Sequence, residues 1–352
     1  MTHLPQSLAL RLKELFTKEE QVFLEEAFSQ VKRPTTLRIN ILKSTLEQIE
    51  IELQKAHISY ELCSILPYSL ILTQPWDEKK LRELSIYHNG EIYIQWLASQ
   101  APVMYFERPV SNETSLKILD ACAAPWGKTS QLAALYPDAE IWAFEPSKVR
   151  YEKMIHNLKK LGITTRDSSS HLNAPGHSLL LRNSPCPLFQ EKGAAVYCIY
   201  DSVENIWKYV DTEDYFDMIL IDAPCSWEWA LSYHNTKFLE NWSLRHIKKN
   251  YARQKTICDA VLPYLKNWWE MIYSTCTLAP EENEAVIHYL LCKYPELALK
   301  KLDFIENKYI KYKNTLKSFW KYIFRKEISE HSLRVIPSTY SEGFYIAKLL
   351  KK

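Results

Sequence analysis

The chain has 352 residues, 47% of them hydrophobic and 24% charged, with a formal net charge of +2. That length supports two or three compact units with their own cores, and the near-neutral balance means that a polyanionic partner must be met by local basic patches. Apolar stretches such as LPYSLIL (66–72) fall far short of the roughly 18 residues of a membrane span, and the N-terminus has no basic head followed by an apolar block, so the expectation is a soluble, cytoplasmic protein.

Residues 1–60 alternate helix-like stretches around an extended piece, PTTLRINILK, and residues 1–105 read as a smaller N-terminal α+β module. From 116 onward the pattern changes to short apolar runs that end near an acidic residue or a threonine: LKILD (116–120), IWAFE (141–145), MILID (218–222) and MIYST (271–275). Each is followed by a helical pattern. Strands alternating with helices imply crossovers and a mainly parallel sheet covered on both faces. The expected class is therefore α/β, a doubly wound Rossmann-like domain over 106–352, with the polar, turn-rich segment 163–196 as an insertion.

In such sheets the ligand crevice lies outside the carboxyl ends of the strands, where Asp120, Glu145, Asp222, Cys225 and Cys276 all fall. The first turn, DACAAPWGKT, leads into a helix whose N-terminus suits an anionic group. Its GKT resembles a phosphate loop, but the glycine required five positions before Gly127 is Cys122, which disfavours a nucleotide triphosphatase. Glu145, about 20 residues on, is placed to hold a ribose diol, a feature shared by dinucleotide enzymes and methyltransferases.

Eight cysteines are scattered without a CxxC pair or a nearby histidine pair, so neither a disulfide framework nor a metal site is expected. Two of them stand apart. Cys225 and Cys276 follow strands that would bring both thiols to one crevice, where they could divide nucleophilic addition and release; a redox pair is the rival reading.

With TTLRINILK (35–43), GEIYIQWLASQAPV (90–103), DACAAPWGKT, AFEPSKVR, IDAPCS, YSTCT with PEENE, and RVIPSTYSEGFYIAKLLK (334–351) in that order, the chain resembles the RNA cytosine-C5 methyltransferases of the NOL1/NOP2/Sun group. The resemblance implies S-adenosyl-L-methionine as cofactor and RNA as partner, ribosomal RNA ahead of tRNA, with no metal and a monomeric enzyme. It implies that Cys276 adds to C6 of the cytosine, that Cys225 assists release, and that Asp222 holds the cytosine edge and borders the cofactor. By the same carry-over Cys122, Ala123, Ala124, Pro125, Trp126, Gly127 and Lys128 hold the methionine end, Glu145 the ribose, Asp201 the adenine region, and Arg150 the cofactor loop. RNA contact is expected from Arg38 and Asn40 on family grounds. It is expected also from Arg245, Lys248 and Lys249 in the basic helix LRHIKKNYARQK, and from the basic-aromatic stretch 308–326.

One departure runs through the motifs. Trp126, Trp227, Trp229, Trp268 and Trp269 occupy positions where the family has glycine, and the whole chain holds six glycines against eleven tryptophans. Glycine reaches positive φ and lets a ligand approach the backbone, so the expectation is weakened cofactor binding. The alternative function is a catalytically inactive RNA-binding or ribosome-assembly protein of the same fold.

Overall fold

The computed structural model describes residues 4–74, 76–107, 115–123, 127–167, 194–303, 310–314, 316–319 and 322–352. The strands expected from the apolar runs form. They are β5 (Lys117–Asp120), β6 (Glu140–Phe144), β9 (Phe216–Asp222) and β10 (Leu265–Thr275), numbered after the four strands of an N-terminal sheet. That first sheet is antiparallel, in the order β2 (Tyr60–Leu62), β3 (Ser69–Leu72), β1 (Thr36–Ile39), β4 (Ile92–Ile94), and closes on its own small core of Leu37, Ile39, Ile49, Leu53, Leu70 and Leu81.

The large sheet adds β7 (Thr164–Asp167), β8 (Ala195–Ile199), β11 (Leu297–Lys300), β12 (Lys311–Asn314), β15 (Leu333–Ile336) and β16 (Phe344–Lys351); a short hairpin, β13 (Ser318–Phe319) with β14 (Tyr322–Ile323), stands apart. Its order is β12-β15-β16-β10-β9-β5-β6-β8-β7, with β11 on β16. The run from β10 to β7 is parallel, while β11, β12, β15 and β16 pair antiparallel. Strands such as MILID are buried on both faces, as a covered parallel sheet requires. The chain leaves β5 toward β6 on one side and returns through β9 on the other, so strand order reverses at the β5/β9 pair and opens a crevice there.

The expected insertion at 163–196 is shorter at both ends than the sequence suggested. Thr164–Asp167 and Ala195–Ile199 are neighbouring parallel strands, because alternating residues there still bury Val196 and Cys198; residues 168–193 lie outside the described residues. The basic-aromatic stretch 308–326 lies partly outside them too, and where described it forms strand pieces and not a helix.

Two features attach the N-terminal elements to the site. Helices Gln6–Leu15 and Lys18–Ser29 bury Leu8, Leu12, Leu24 and Phe28 in the main core, and the buried Arg11 guanidinium donates to both carboxylate oxygens of Glu281 at 3.0 and 2.6 Å. The small sheet is clasped through Arg38 and Asn40. Arg38 donates to Gln95 Oε1 and Ser130 Oγ, and Asn40 Nδ2 donates to the carbonyls of Gly90 and Leu161.

Candidate active site

The turns after β9 and β10 bring the two expected sulfurs together: Cys225 Sγ and Cys276 Sγ are 3.2 Å apart. Parallel pairing of β9 with β10 puts Ser274 opposite Asp222, so both strands end at one level. The turns are then laced to each other. Ser226 Oγ and Thr277 Oγ1 share a hydrogen bond at 2.8 Å. Glu228 Oε2 accepts from Thr277 Oγ1 and the Leu278 N–H, while its Oε1 accepts from Trp242 Nε1. Beneath them Glu282 Oε2 accepts from the Ser226 N–H and from Gln254 Nε2. Burial pushes the Glu282 carboxyl up to about 8. These acids were not singled out from sequence, although the PEENE string carried Glu281 and Glu282 within a motif.

Asp222 is held on both oxygens, by Lys128 Nζ at 2.8 Å and Ser274 Oγ at 3.0 Å. Lys128 is buried and donates also to Ser99 Oγ at 2.7 Å. The hydrogen bond with Cys225, then burial, hold the Cys276 thiol well above its ordinary range, with Lys128 acting in the opposite direction. Both effects favour the protonated form of Cys276.

A cavity of about 590 Å³ opens beside these groups, within the range that takes a cofactor. Cys276, Asp222, Lys128, Cys122, Glu145 and Arg150 line it. Glu145 is buried, accepts from the Ser147 N–H at 2.8 Å, and pairs with Arg150 at 3.4 Å. Asp120 lies under the first turn, its Oδ2 accepting from Thr129 Oγ1 and its Oδ1 buried without a partner; burial raises this carboxyl to about 7. Gly127 opens the helix Gly127–Leu135, and a Cβ there would press on Gln95. Ala123 is buried, its N–H donating to Phe144 O. Ala124, Pro125 and Trp126 lie outside the described residues.

Several expectations change. Asp201 does not appear in the lining; it turns back on its own loop, accepting from the Ser202 N–H, Asn205, Lys208 and Tyr209. The following residues, Ser202, Val203 and Glu204, line the cavity instead. Arg38 and Asn40 are buried and spend their donors inside the protein, so they join the two sheets and present no surface to RNA. Arg245, Lys248 and Lys249 are exposed on the helix Leu244–Val261, and Arg253 of the same helix reaches the cavity. Of the tryptophans at glycine positions, Trp227 and Trp229 line the cavity, while Trp268 and Trp269 sit in the first half of β10, at the end of the strand opposite Cys276. Those two cannot obstruct a ligand at the rim directly.

Among the described residues no three His, Cys, Asp or Glu side chains are grouped to hold a metal ion, and no described helix is long and apolar enough to cross a membrane.

A parallel doubly wound sheet with its cavity at the strand-order reversal and its acids and thiols on the carboxyl rim is the architecture of a Rossmann-like methyltransferase. The family described as 16S rRNA methyltransferase RsmB/F matches residues 104–180 and 193–350, and the chain belongs to it. Among curated relatives it is 28% identical over 353 residues to the ribosomal RNA small subunit methyltransferase F of Cronobacter sakazakii, covering 94% of this chain and 64% of that protein. It is 26% identical to the ribosomal RNA small subunit methyltransferase B of Enterobacter sp., covering 84% and 59%. The chain thus spans about three-fifths of the length of these relatives. Among solved structures, a methyltransferase homologue from Pyrococcus horikoshii superposes with a TM-score of 0.75 at 24% identity, over 99% of this chain and 95% of that one. NSun6 from the same organism, solved with SFG, gives 0.72 at 20% identity over 99% and 98%. At these identities the likeness is one of fold.

Proposed function

We propose that the protein transfers a methyl group from S-adenosyl-L-methionine to C5 of a cytosine in RNA, ribosomal RNA ahead of tRNA, in the cytoplasm. The observation that carries this reading is the 3.2 Å approach of the two sulfurs beside the Lys128–Asp222 pair, on the wall of a cavity of cofactor size. A cytosine removed from its stack meets Cys276, which gives its proton to solvent and, as a thiolate, forms a bond to C6 as the C5–C6 double bond opens. C5 then carries the electron pair that takes the methyl group, and the cofactor supplies that group as an electrophile from its sulfonium. Cys225, as a thiolate, receives the C5 proton, the double bond re-forms, and Cys276 leaves as a thiolate that regains a proton from solvent.

Asp222, held by Lys128 and Ser274, suits the cytosine edge as a hydrogen-bond acceptor, and the Lys128 ammonium beside it offsets the negative charge that the ring gains during addition. Glu145 suits the ribose diol and the first turn the methionine end, the reading that the family resemblance also favours. An RNA bearing the target, incubated with labelled cofactor, should gain label on cytosine C5; RNA that gains none, or gains it elsewhere, would sink the proposal.

A second reading has its own observation. Trp227 and Trp229 line the cavity, and position 126 falls within the sequence motif that the family resemblance gives to the cofactor, so the chain with tryptophan at these positions binds the cofactor weakly and acts as an RNA-binding or assembly protein. Titration calorimetry decides: low-micromolar affinity for the cofactor would refute this reading.

A further inference from the structure

Glu342 belongs to none of the roles above. It is buried, it lines the same cavity as Cys276, Asp222 and Lys128, and it reaches it from the loop before β16. Its Oε1 accepts from the Ser99 N–H at 3.2 Å, in the first turn of the helix Leu97–Met104, while its Oε2 is buried with no hydrogen-bond partner. A stranded carboxylate oxygen in a ligand cavity is unfavourable until a donor arrives. The nearby cations do not fill the role: Lys128 is engaged by Asp222 and Ser99, and Arg33 donates to the carbonyls of Ser338 and Trp229.

We propose that Glu342 reads the exocyclic amine of the target base and so selects cytosine over uracil, which offers a carbonyl oxygen at that position. The inference rests on the cytosine reading of this cavity. Burial that holds the carboxyl up at about 7 agrees with a group lacking its proper partner. The test uses the full chain with cofactor and transcripts of small-subunit ribosomal RNA substituted with 5-fluorocytidine or 5-fluorouridine, scoring the covalent protein-RNA adduct. The wild-type chain should form adduct on the fluorocytidine transcript, and E342Q, whose amide can also donate to a carbonyl, should narrow the cytosine preference about tenfold or more. Thermal unfolding of E342Q should stay close to wild type. Adduct formation by E342Q at unchanged preference overturns the role of Glu342 alone; absence of adduct both with the wild-type chain and with its Trp227→Gly, Trp268→Gly variant overturns the cytosine reading itself.

A different observation carries a second inference. Trp227 (φ 58°) and Trp268 (φ 69°) both hold the left-handed backbone conformation. The two residues are 54% and 72% exposed, and Trp268 lies where the register of β10 against β9 shifts between Leu265 and Glu270. Left-handed turns and bulges of this kind take glycine, and six glycines in 352 residues is far below the usual content of about 7%. Other tryptophans are used as indoles: Trp142 packs against Tyr197, Tyr215 and Phe216 in the core, and Trp242 donates to Glu228.

We infer that the functional protein carries glycine at positions 227 and 268. The codon there would be UGA, which some genetic codes read as tryptophan and others as glycine, while Trp142 and Trp242 would be encoded by UGG. Peptide mass spectrometry of the protein purified from its own cells should find glycine at 227 and 268 and tryptophan at 142 and 242 in one sample. Tryptophan at 227 or 268 overturns the inference.

Discussion

On the proposed reading, two sulfurs 3.2 Å apart would divide one reaction between them, and their separate removal should show it. Cys276→Ala is expected to abolish methyl transfer, whereas Cys225→Ala should retain addition and accumulate a covalent protein-RNA species visible on a denaturing gel. Trapping by Cys276→Ala instead would reverse the two roles. The acid beneath them gives a pH signature. Burial raises Glu282 to about 8 from an ordinary 4.5, so the folded protein binds this proton more tightly than the unfolded chain. Its contribution to stability is complete below the unfolded value and is lost as pH rises toward 8. The melting temperature of the wild type should therefore fall relative to Glu282→Gln between about pH 5 and pH 8, by a few degrees. A constant difference across that range would show that Glu282 does not titrate there.

At the scale of elements, β10 illustrates how a strand can end correctly and begin badly. Its second half pairs in register with β9 and β16 and delivers Cys276, while the left-handed residue near its start interrupts the ladder. Trp268 is exposed, so Trp268→Gly gives up little burial and relieves a strained backbone; urea unfolding should show a gain on the order of 1 kcal/mol. The helix Gln6–Leu15 makes the opposite case. Removing Arg11 leaves Glu281 buried without its cation, and Arg11→Ala should destabilise the fold by about 3–5 kcal/mol. An effect below 1 kcal/mol would mean that the pair is solvated.

For the whole molecule, a net charge of +2 makes RNA affinity a matter of placement. Arg245, Lys248 and Lys249 form an exposed basic face on the helix whose Arg253 reaches the cavity. Replacing all three by alanine should weaken RNA binding and reduce the salt dependence by a slope of roughly 0.7 per lost phosphate contact for single-stranded RNA. An unchanged salt slope in filter binding would place the RNA on another face.

The strands, their order of chemistry-bearing ends and the nucleophile candidates were legible in the sequence, because strand periodicity and the residues at strand tips are local properties. Asp120, Glu145 and Asp222 followed from where apolar runs stop, and the pairing of Cys225 with Cys276 from the rule that parallel strands share a rim. Contacts across long sequence distances were not legible. A buried arginine and a surface arginine look alike in a string, so Arg38 read as an RNA contact until folding placed Gln95 and Ser130 against it. Asp201 was displaced from the cavity by its own turn, and Glu342 became visible only when the loop before β16 met the start of the helix Leu97–Met104. The sequence by itself determined the elements and the chemistry at their ends; burial, and with it which polar groups are satisfied and which are left waiting for a ligand, was decided by the tertiary structure alone, since desolvation depends on neighbours that local patterning does not encode.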